Sequence, residues 1–302
     1  TQKFNNDSVY EYLIGFSLLI SHRNKNSSSR REEPQQSWSS LTSTQEKSNK
    51  LTPISENREY IKMFFVGLLD GDGSIQVNHW RYTSLQYRLV IKLNNKPSNF
   101  SMLVKIAKTI GGNVRITNND KSVIWVVNSR KEVEDIIKIF EVYPLLTSRK
   151  ICQLEFLKYC LNHTNILPFY LEQRNNKYIH QLNIINSDLL KLNSISNETE
   201  WILPVHFQAW LSGFAEAESC FSNRKNKNNS FSIGQNHDYY LLEAIRRYFN
   251  ISNKVRNPYS NFYSLEVYKK ETLKRIIQHF QDYPLLGAKS ESYNKFIENF
   301  RA

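Results

Sequence analysis

The 302-residue sequence predicts an α+β protein built from two similar halves, and three observations lead there. The stretch FFVGLLDGDGSI at 64–75 returns at 210–221 as WLSGFAEAESCF. Further on, FEVYPLLTSRK at 140–150 returns at 280–290 as FQDYPLLGAKS. The offsets of 146 and 140 residues agree closely enough to mark a duplicated domain. Between these anchors, helical and strand periodicities follow one another in the same order in both halves, αββαββα. Antiparallel strands segregated from helices make an α+β architecture.

Glu59 to Leu69 places apolar residues at helical spacing and is expected to stop at the Gly-Asp-Gly turn. Its counterpart is Val205 to Ala215, with Pro204 suited to the first turn. Strands Ser74 to Trp80 and Leu85 to Leu93 follow in the first half, Cys220 to Arg224 and Ser230 to Gln235 in the second. Helices Ser98 to Ile110 and Asp238 to Phe249 come next. Two short strands then appear in each half, Asn113 to Thr117 with Val123 to Asn128, and Lys254 to Asn257 with Phe262 to Tyr268. Helices Lys131 to Phe140 and Lys270 to Phe280 lead into the two Tyr-Pro-Leu-Leu segments, and a last helix closes each half. The expected domains are 56–160 and 204–302, joined by a partly helical connection at 161–203 that includes a helix from Tyr178 to Leu192. Residues 1–55 read as an extension: a short helix over Tyr10 to Ile20, then a stretch rich in Ser, Asn, Gln and charge at 24–50 with little to bury.

Composition narrows the function. The 40 Lys and Arg outnumber the 28 Asp and Glu, for a net charge of +12. Residues 1–55 account for about +2, so the excess belongs to the repeated part and points to a polyanionic partner. The longest apolar-leaning run, Val9 to Ile20, is shorter than the ~20 residues a membrane span needs, so a membrane partner is not expected. Three cysteines without a CxxC pair exclude a disulfide framework and a zinc ribbon. The 33 Asn against 7 Ala indicate AT-rich codons, as found in organelle genomes, which favours a mitochondrion over a chloroplast as the setting.

The repeated motif carries the chemistry. Gly67 and Gly71 share a helix face, as do Gly213 and Ala217. Small residues at that spacing let two helices approach backbone to backbone. If the helices pair in parallel, their ends bring Asp72 and Glu218 together. Two close carboxylates repel unless a cation lies between them, and a hard divalent ion such as Mg²⁺ meets that need. The same peptide is not a calcium loop, because Ile75 and Arg81 stand where Gly and Glu would be required.

At these residues the sequence resembles the LAGLIDADG homing endonucleases in their single-chain, two-motif form. Residues 65–73, FVGLLDGDG, match the nine-residue motif, and 211–219, LSGFAEAES, form the second copy; the likeness extends over about 57–300. The resemblance implies a monomer whose paired motif helices form the domain interface and whose antiparallel sheets make a saddle over double-stranded DNA. It implies that Asp72 and Glu218, the eighth motif residues, bind Mg²⁺ (or Mn²⁺) with the backbone carbonyls of Gly71 and Ala217. A metal-activated water would then cut each strand, leaving 3′ overhangs. The family places a basic residue five positions after the proline of the Pro-Leu-Leu segment, which here gives Lys289 and Arg149, the latter followed by Lys150. Gln235 corresponds to a water-ordering glutamine; the first half has Leu93 there. Ser219 replaces the last motif glycine, with strain expected in that turn.

Alternation along the strands selects a recognition surface. Its candidates are Gln76, Asn78, Arg81, Gln86, Arg88, Lys92, Arg115, Lys121, Arg224, Lys227, Ser232, Arg256 and Tyr263. The expected activity is that of an intron-encoded endonuclease making a staggered double-strand break. The alternative is a maturase, in which the same fold binds its host intron RNA and assists splicing.

Overall fold

The structure, a computed structural model, describes residues 53–187, 203–223 and 229–301. The expected Tyr10–Ile20 helix and the polar stretch after it lie outside the described residues, as do Arg224 and Lys227. After a short 3₁₀ turn at Ile54–Glu56, helix α1 spans Arg58–Asp72. Asn57 caps it, its side chain accepting from the Glu59 and Tyr60 N–H groups. Strands β1 (Gly73–Trp80) and β2 (Ser84–Asn94) form a hairpin. Helix α2 (Pro97–Ile110) starts on a proline and stops at Gly111, whose φ of 91° suits a residue without a Cβ. Strands β3 (Asn113–Thr117) and β4 (Ser122–Val127) follow. Helix α3 (Arg130–Val142) is capped by Ser129, whose hydroxyl accepts from the Glu132 N–H and donates to the Glu132 carboxylate. The half closes with α4 (Ser148–Asn162).

The connection contains α5 (Leu167–Gln173) and α6 (Gln181–Asn186). The helix expected from Tyr178 is therefore corrected: residues 174–180 form successive turns, and 188–192 lie outside the described residues. The second half repeats the order with α7 (Phe207–Glu218), β5 (Ser219–Ser222), β6 (Ser230–Asn236), α8 (Tyr239–Tyr248), β7 (Arg256–Tyr259), β8 (Phe262–Val267), α9 (Lys270–Asp282) and α10 (Lys289–Arg301). The two sheets have the same strand order, β1-β2-β4-β3 and β5-β6-β8-β7, with every pairing antiparallel. Pro258 sits in β7, an edge strand, where a missing N–H is tolerated.

The core is continuous across the halves, because α1 and α7 pack together over their whole length and bury Phe64, Phe65, Leu68, Trp210 and Phe214 completely. Both motif helices run further than the periodicity implied, α1 through Asp72 and α7 through Glu218, each ending on an extended residue. Gly71 is helical and faces the Ala217 and Glu218 side chains. Pro204 precedes the helix rather than opening it; its carbonyl accepts from the Phe207 N–H.

Candidate active site between the motif helices

The approach of α1 and α7 is set by glycine. A Cβ on Gly67 would stand 1.9 Å from the Trp210 carbonyl oxygen, and one on Gly213 would stand 1.9 Å from that of Phe64. These mirror-image contacts admit only hydrogen at both positions. One turn later, a Cβ on Gly71 would meet the Ala217 Cβ at 2.4 Å and lie 3.6 Å from Glu218 Oε1. The helices thus end side by side and carry Asp72 and Glu218 to one place.

The sixth residue of each motif, which sequence reasoning passed over, organises what surrounds the pair. Asp70 is 1% exposed and accepts from the Leu146 N–H (2.8 Å), the Thr147 N–H (3.2 Å), the Thr147 hydroxyl and Trp210 Nε1 (2.7 Å). Glu216 accepts from the Gly287 N–H (3.1 Å) and the Lys289 N–H (2.6 Å). Each acid therefore secures the start of the helix that follows a Pro-Leu-Leu segment. The usable signal was an acid inside an otherwise apolar helix face, which must find partners when buried.

The two halves also fasten each other's Pro-Leu-Leu segments. Tyr60 donates to the Pro284 carbonyl, and His206, 146 residues later, meets the Pro144 carbonyl through Nε2 at 2.9 Å. Asn99 Oδ1 accepts from the Ala288 N–H (2.8 Å), while Asp238 Oδ2 accepts from the Ser148 N–H (3.2 Å). The repeat at 143–146 and 283–286 is thus a shared docking point across the interface.

Electrostatics at the helix ends follow from burial and proximity. Burial, then the Asp72 charge, raises the Glu218 carboxyl to about 7. Burial raises Asp72 too, opposed by the Lys289 and Lys150 ammonium groups. Burial lowers Lys150, while Asp70 and Glu218 pull the other way. Lys289 donates through Nζ to the carbonyl of Ser219, the residue after Glu218. Asp72 opens into a hollow of about 230 Å³ shared with Leu93, Asn94, Lys96 and Lys289. Glu218 opens into one of about 360 Å³ with Ser232, Gly234, Phe262, Ser264 and Glu266.

Several expected residues lie elsewhere. Arg149 turns away from the acids and stacks its guanidinium 4.4 Å from the Tyr178 ring centre, so Lys150 is the cation that the first half directs at them. The reason is the connection: Tyr178 occupies the outer face of the first turn of α4 and also accepts from Gln153. Gln235 pairs with Tyr263 on the helix-side face of its sheet, beside buried Ile233 and Leu265, and its Oε1 accepts from the Asn236 N–H. It does not line the Glu218 hollow. Tyr263 shares that face and packs against Tyr239 at 5.4 Å, so it is removed from the recognition surface. With a side-chain period of two, one position decides the face. Strain at Ser219 is likewise absent: its φ and ψ are −93° and 162°, ordinary extended values. A Cβ on Gly73 would meet the Leu69 Cγ and carbonyl oxygen, each at 2.5 Å, whereas in the second half Ser219 is accommodated and its Oγ donates to the Ala215 carbonyl.

The remaining candidates are placed by register. Gln76 lies opposite Arg88, Asn78 opposite Gln86, and both Lys92 and Arg115 opposite Ile124, all on the face turned away from the helices. Arg81 sits at the β1–β2 hairpin tip and Lys121 in the β3–β4 turn. Ser232 and Arg256 share the corresponding face of the second sheet. Reasoning from sequence also missed Trp80, which ends the row begun by Gln76 and Asn78 and is 54% exposed.

A hard divalent cation fits this donor set. Two carboxylates meet where their mutual repulsion already favours neutralisation, and protein donors are few enough that water and substrate oxygens must complete the shell.

Comparisons with known proteins agree with this arrangement. The LAGLIDADG endonuclease family matches residues 65–160 and 211–300. A probable intron-encoded endonuclease aI3 of Debaryomyces hansenii is 50% identical over 272 residues, 83% of this chain and 39% of that protein. A protein of the same description from Dictyostelium citrinum is 44% identical over 246 residues, 80% of this chain and 96% of its own length. The chain thus spans less than half of the first relative and nearly all of the second. Among solved structures, the LAGLIDADG homing endonuclease I-GzeII in complex with its DNA target superposes with a TM-score of 0.61 at 20% identity, covering 81% of this chain and 90% of that one. The I-LtrWI homing endonuclease bound to target DNA gives 0.58 at 22%, covering 81% and 91%. The protein belongs to the LAGLIDADG endonuclease family.

Proposed function

We propose that this protein is a site-specific DNA endonuclease, acting as a monomer, that makes a staggered double-strand break by Mg²⁺-dependent phosphodiester hydrolysis. The observation that carries the reading is the meeting of Asp72 and Glu218 at the paired helix ends, between two sheets whose outer faces bear Arg88, Lys92, Arg115 and Arg256. Asp72 and Glu218, with the carbonyls of Gly71 and Ala217, are the groups that would hold the cation. When bound, the cation lowers the pKa of an attacking water and offsets charge on the phosphate. Lys150 and Lys289 place positive charge beside the acids, where it stabilises the phosphate as negative charge builds. Asp70 and Glu216 fix the helix starts from which those lysines project. Lysines and arginines outside the site hold the backbone, and the sheet faces read base edges.

The AT-rich coding bias and the intron-encoded relatives support a mitochondrial gene. Retention of both acids favours cutting over a purely RNA-binding maturase, which has no use for two adjacent repelling carboxylates. The test is incubation with a duplex spanning the intron-free insertion junction, with Mg²⁺ or with EDTA. Staggered cleavage with Mg²⁺ alone supports the reading. Intact duplex under both conditions, from protein that binds it, contradicts it. Rescue of a splicing-defective host intron by such protein would select the maturase.

A further inference from the structure

The strand residues facing away from the helices can be read in full from the two registers. In the first sheet they are neutral polar, basic or apolar. In the second, the one acidic residue among the described residues of either face is Glu266, directly opposite Ser232 and half-buried beside the Glu218 hollow. Arg256 reaches over the same face and brings Nη1 to 4.0 Å from a Glu266 carboxylate oxygen.

The fold does not require an acid there. Trp125 opposite Ile91 and Leu265 opposite Ile233 are equivalent pairs, so Val126 opposite Val90 occupies the place of Glu266 opposite Ser232. The first sheet is built with two valines at that point. On a surface shaped for a polyanion, a carboxylate weakens every phosphate contact around it. Its gain lies in discrimination. A carboxylate can only accept, and in the major groove the cytosine N4 amino group is a donor that it can satisfy. It repels the acceptors presented there by guanine and thymine. Arg256, its ion-pair neighbour on the same face, is a donor that suits guanine.

Resting on the DNA-cutting reading above, we propose that Glu266, oriented with Arg256, is a specificity-determining residue. It selects cytosine at one base pair of the half-site beneath the second sheet, close to the Glu218 cut. The valine pair at the equivalent place in the first sheet reads the opposite half-site differently, which makes the target asymmetric at that position.

The test enriches duplexes from a randomised pool with the full chain in EDTA. Affinities of wild type, Glu266→Gln and Glu266→Val are then measured for every single-pair substitution of the enriched duplex. Wild type should prefer cytosine at one pair by roughly 5- to 100-fold. Glu266→Gln should shift that preference toward adenine, and Glu266→Val should lose it, with all other positions unchanged. Both variants should bind random duplex more tightly than wild type. An unchanged base profile in both variants overturns the proposal. So does loss of Mg²⁺-dependent cleavage with the profile intact, which would put Glu266 in the chemistry instead. Wild type that enriches no duplex defeats this inference and the endonuclease reading together. Wild type that enriches a duplex but never cuts it defeats only the endonuclease reading, and the base profile still decides the role of Glu266.

Discussion

Replacing Gly213 with alanine tests the tight helix interface on which the site depends. The new methyl carbon would lie 1.9 Å from the Phe64 carbonyl oxygen, whereas ordinary carbon–oxygen contacts begin near 3.3 Å, a shortfall of about 1.4 Å. The obstacle is backbone, so no side chain can rotate out of the way; the helices must separate. Overpacking of this kind costs about 1–3 kcal/mol, while the higher helix propensity of alanine returns about 1 kcal/mol. The net loss centres on about 1 kcal/mol, which corresponds to roughly 2–4 °C in Tm for a unit of this size. Separation by about an ångström also moves Glu218 relative to Asp72, and displacements of that order cost roughly 100-fold in rate. Gly67→Ala should behave alike, since its contact with Trp210 mirrors this one. The assays are thermal unfolding and cleavage of the target duplex. Variants with unchanged or raised Tm and undiminished cleavage would refute the backbone-to-backbone packing.

Other perturbations read out separate parts of the account. Lys150→Ala should abolish most cleavage while leaving DNA affinity nearly intact, whereas Arg149→Ala should leave the rate largely unchanged; the reverse ranking would return the role to Arg149. Gly73→Ala should destabilise by about 1–3 kcal/mol, because its Cβ would stand 2.5 Å from the Leu69 carbonyl oxygen and 2.7 Å from its Cα, backbone that Leu69→Ala leaves in place. Full recovery of Tm on adding Leu69→Ala would show that the side chain, and not the backbone, is the obstacle. Burial pushes the Asp238 carboxyl from its ordinary 3.8 up to about 7, so the folded state holds the proton more tightly than the unfolded chain. That contribution to stability is complete below about 4 and is lost as pH rises to about 7. Asp238→Asn, a neutral side chain like Asn99 in the matching contact, should therefore gain on wild type by about 1.4 kcal/mol per pH unit across that window. Parallel stability curves for the two proteins would show that the carboxyl is not the source.

The architecture was legible because duplication wrote it twice. Matching offsets fixed the halves, and strand and helix periods agreed with the observed elements to within a few residues. The site was legible where the chemistry is local, in the small residues of the helix faces and in the acids at their ends. What escaped depended on contacts across the chain. Arg149 and Lys150 are neighbours in sequence, and Tyr178, from the connection between the halves, holds Arg149 away from the acids. Tyr263 was misplaced because alternation gives relative faces and a buried partner such as Leu265 is needed to say which face is inside. The strain expected at Ser219 is absent because its backbone takes ordinary extended values that any residue adopts. Asp70 and Glu216 looked like ordinary motif residues until their partners, more than 70 residues away, came into view.

Cleavage is expected to require Asp72 and Glu218 together at the meeting point of the motif helices. Strand-resolved cleavage of the end-labelled target by wild type, Asp72→Asn and Glu218→Gln, each with Mg²⁺ and with EDTA, measures this most directly. Wild type should cut both strands only with Mg²⁺, and each single substitution should remove the double-strand break while DNA binding persists. Double-strand cleavage surviving in both variants would contradict the assignment.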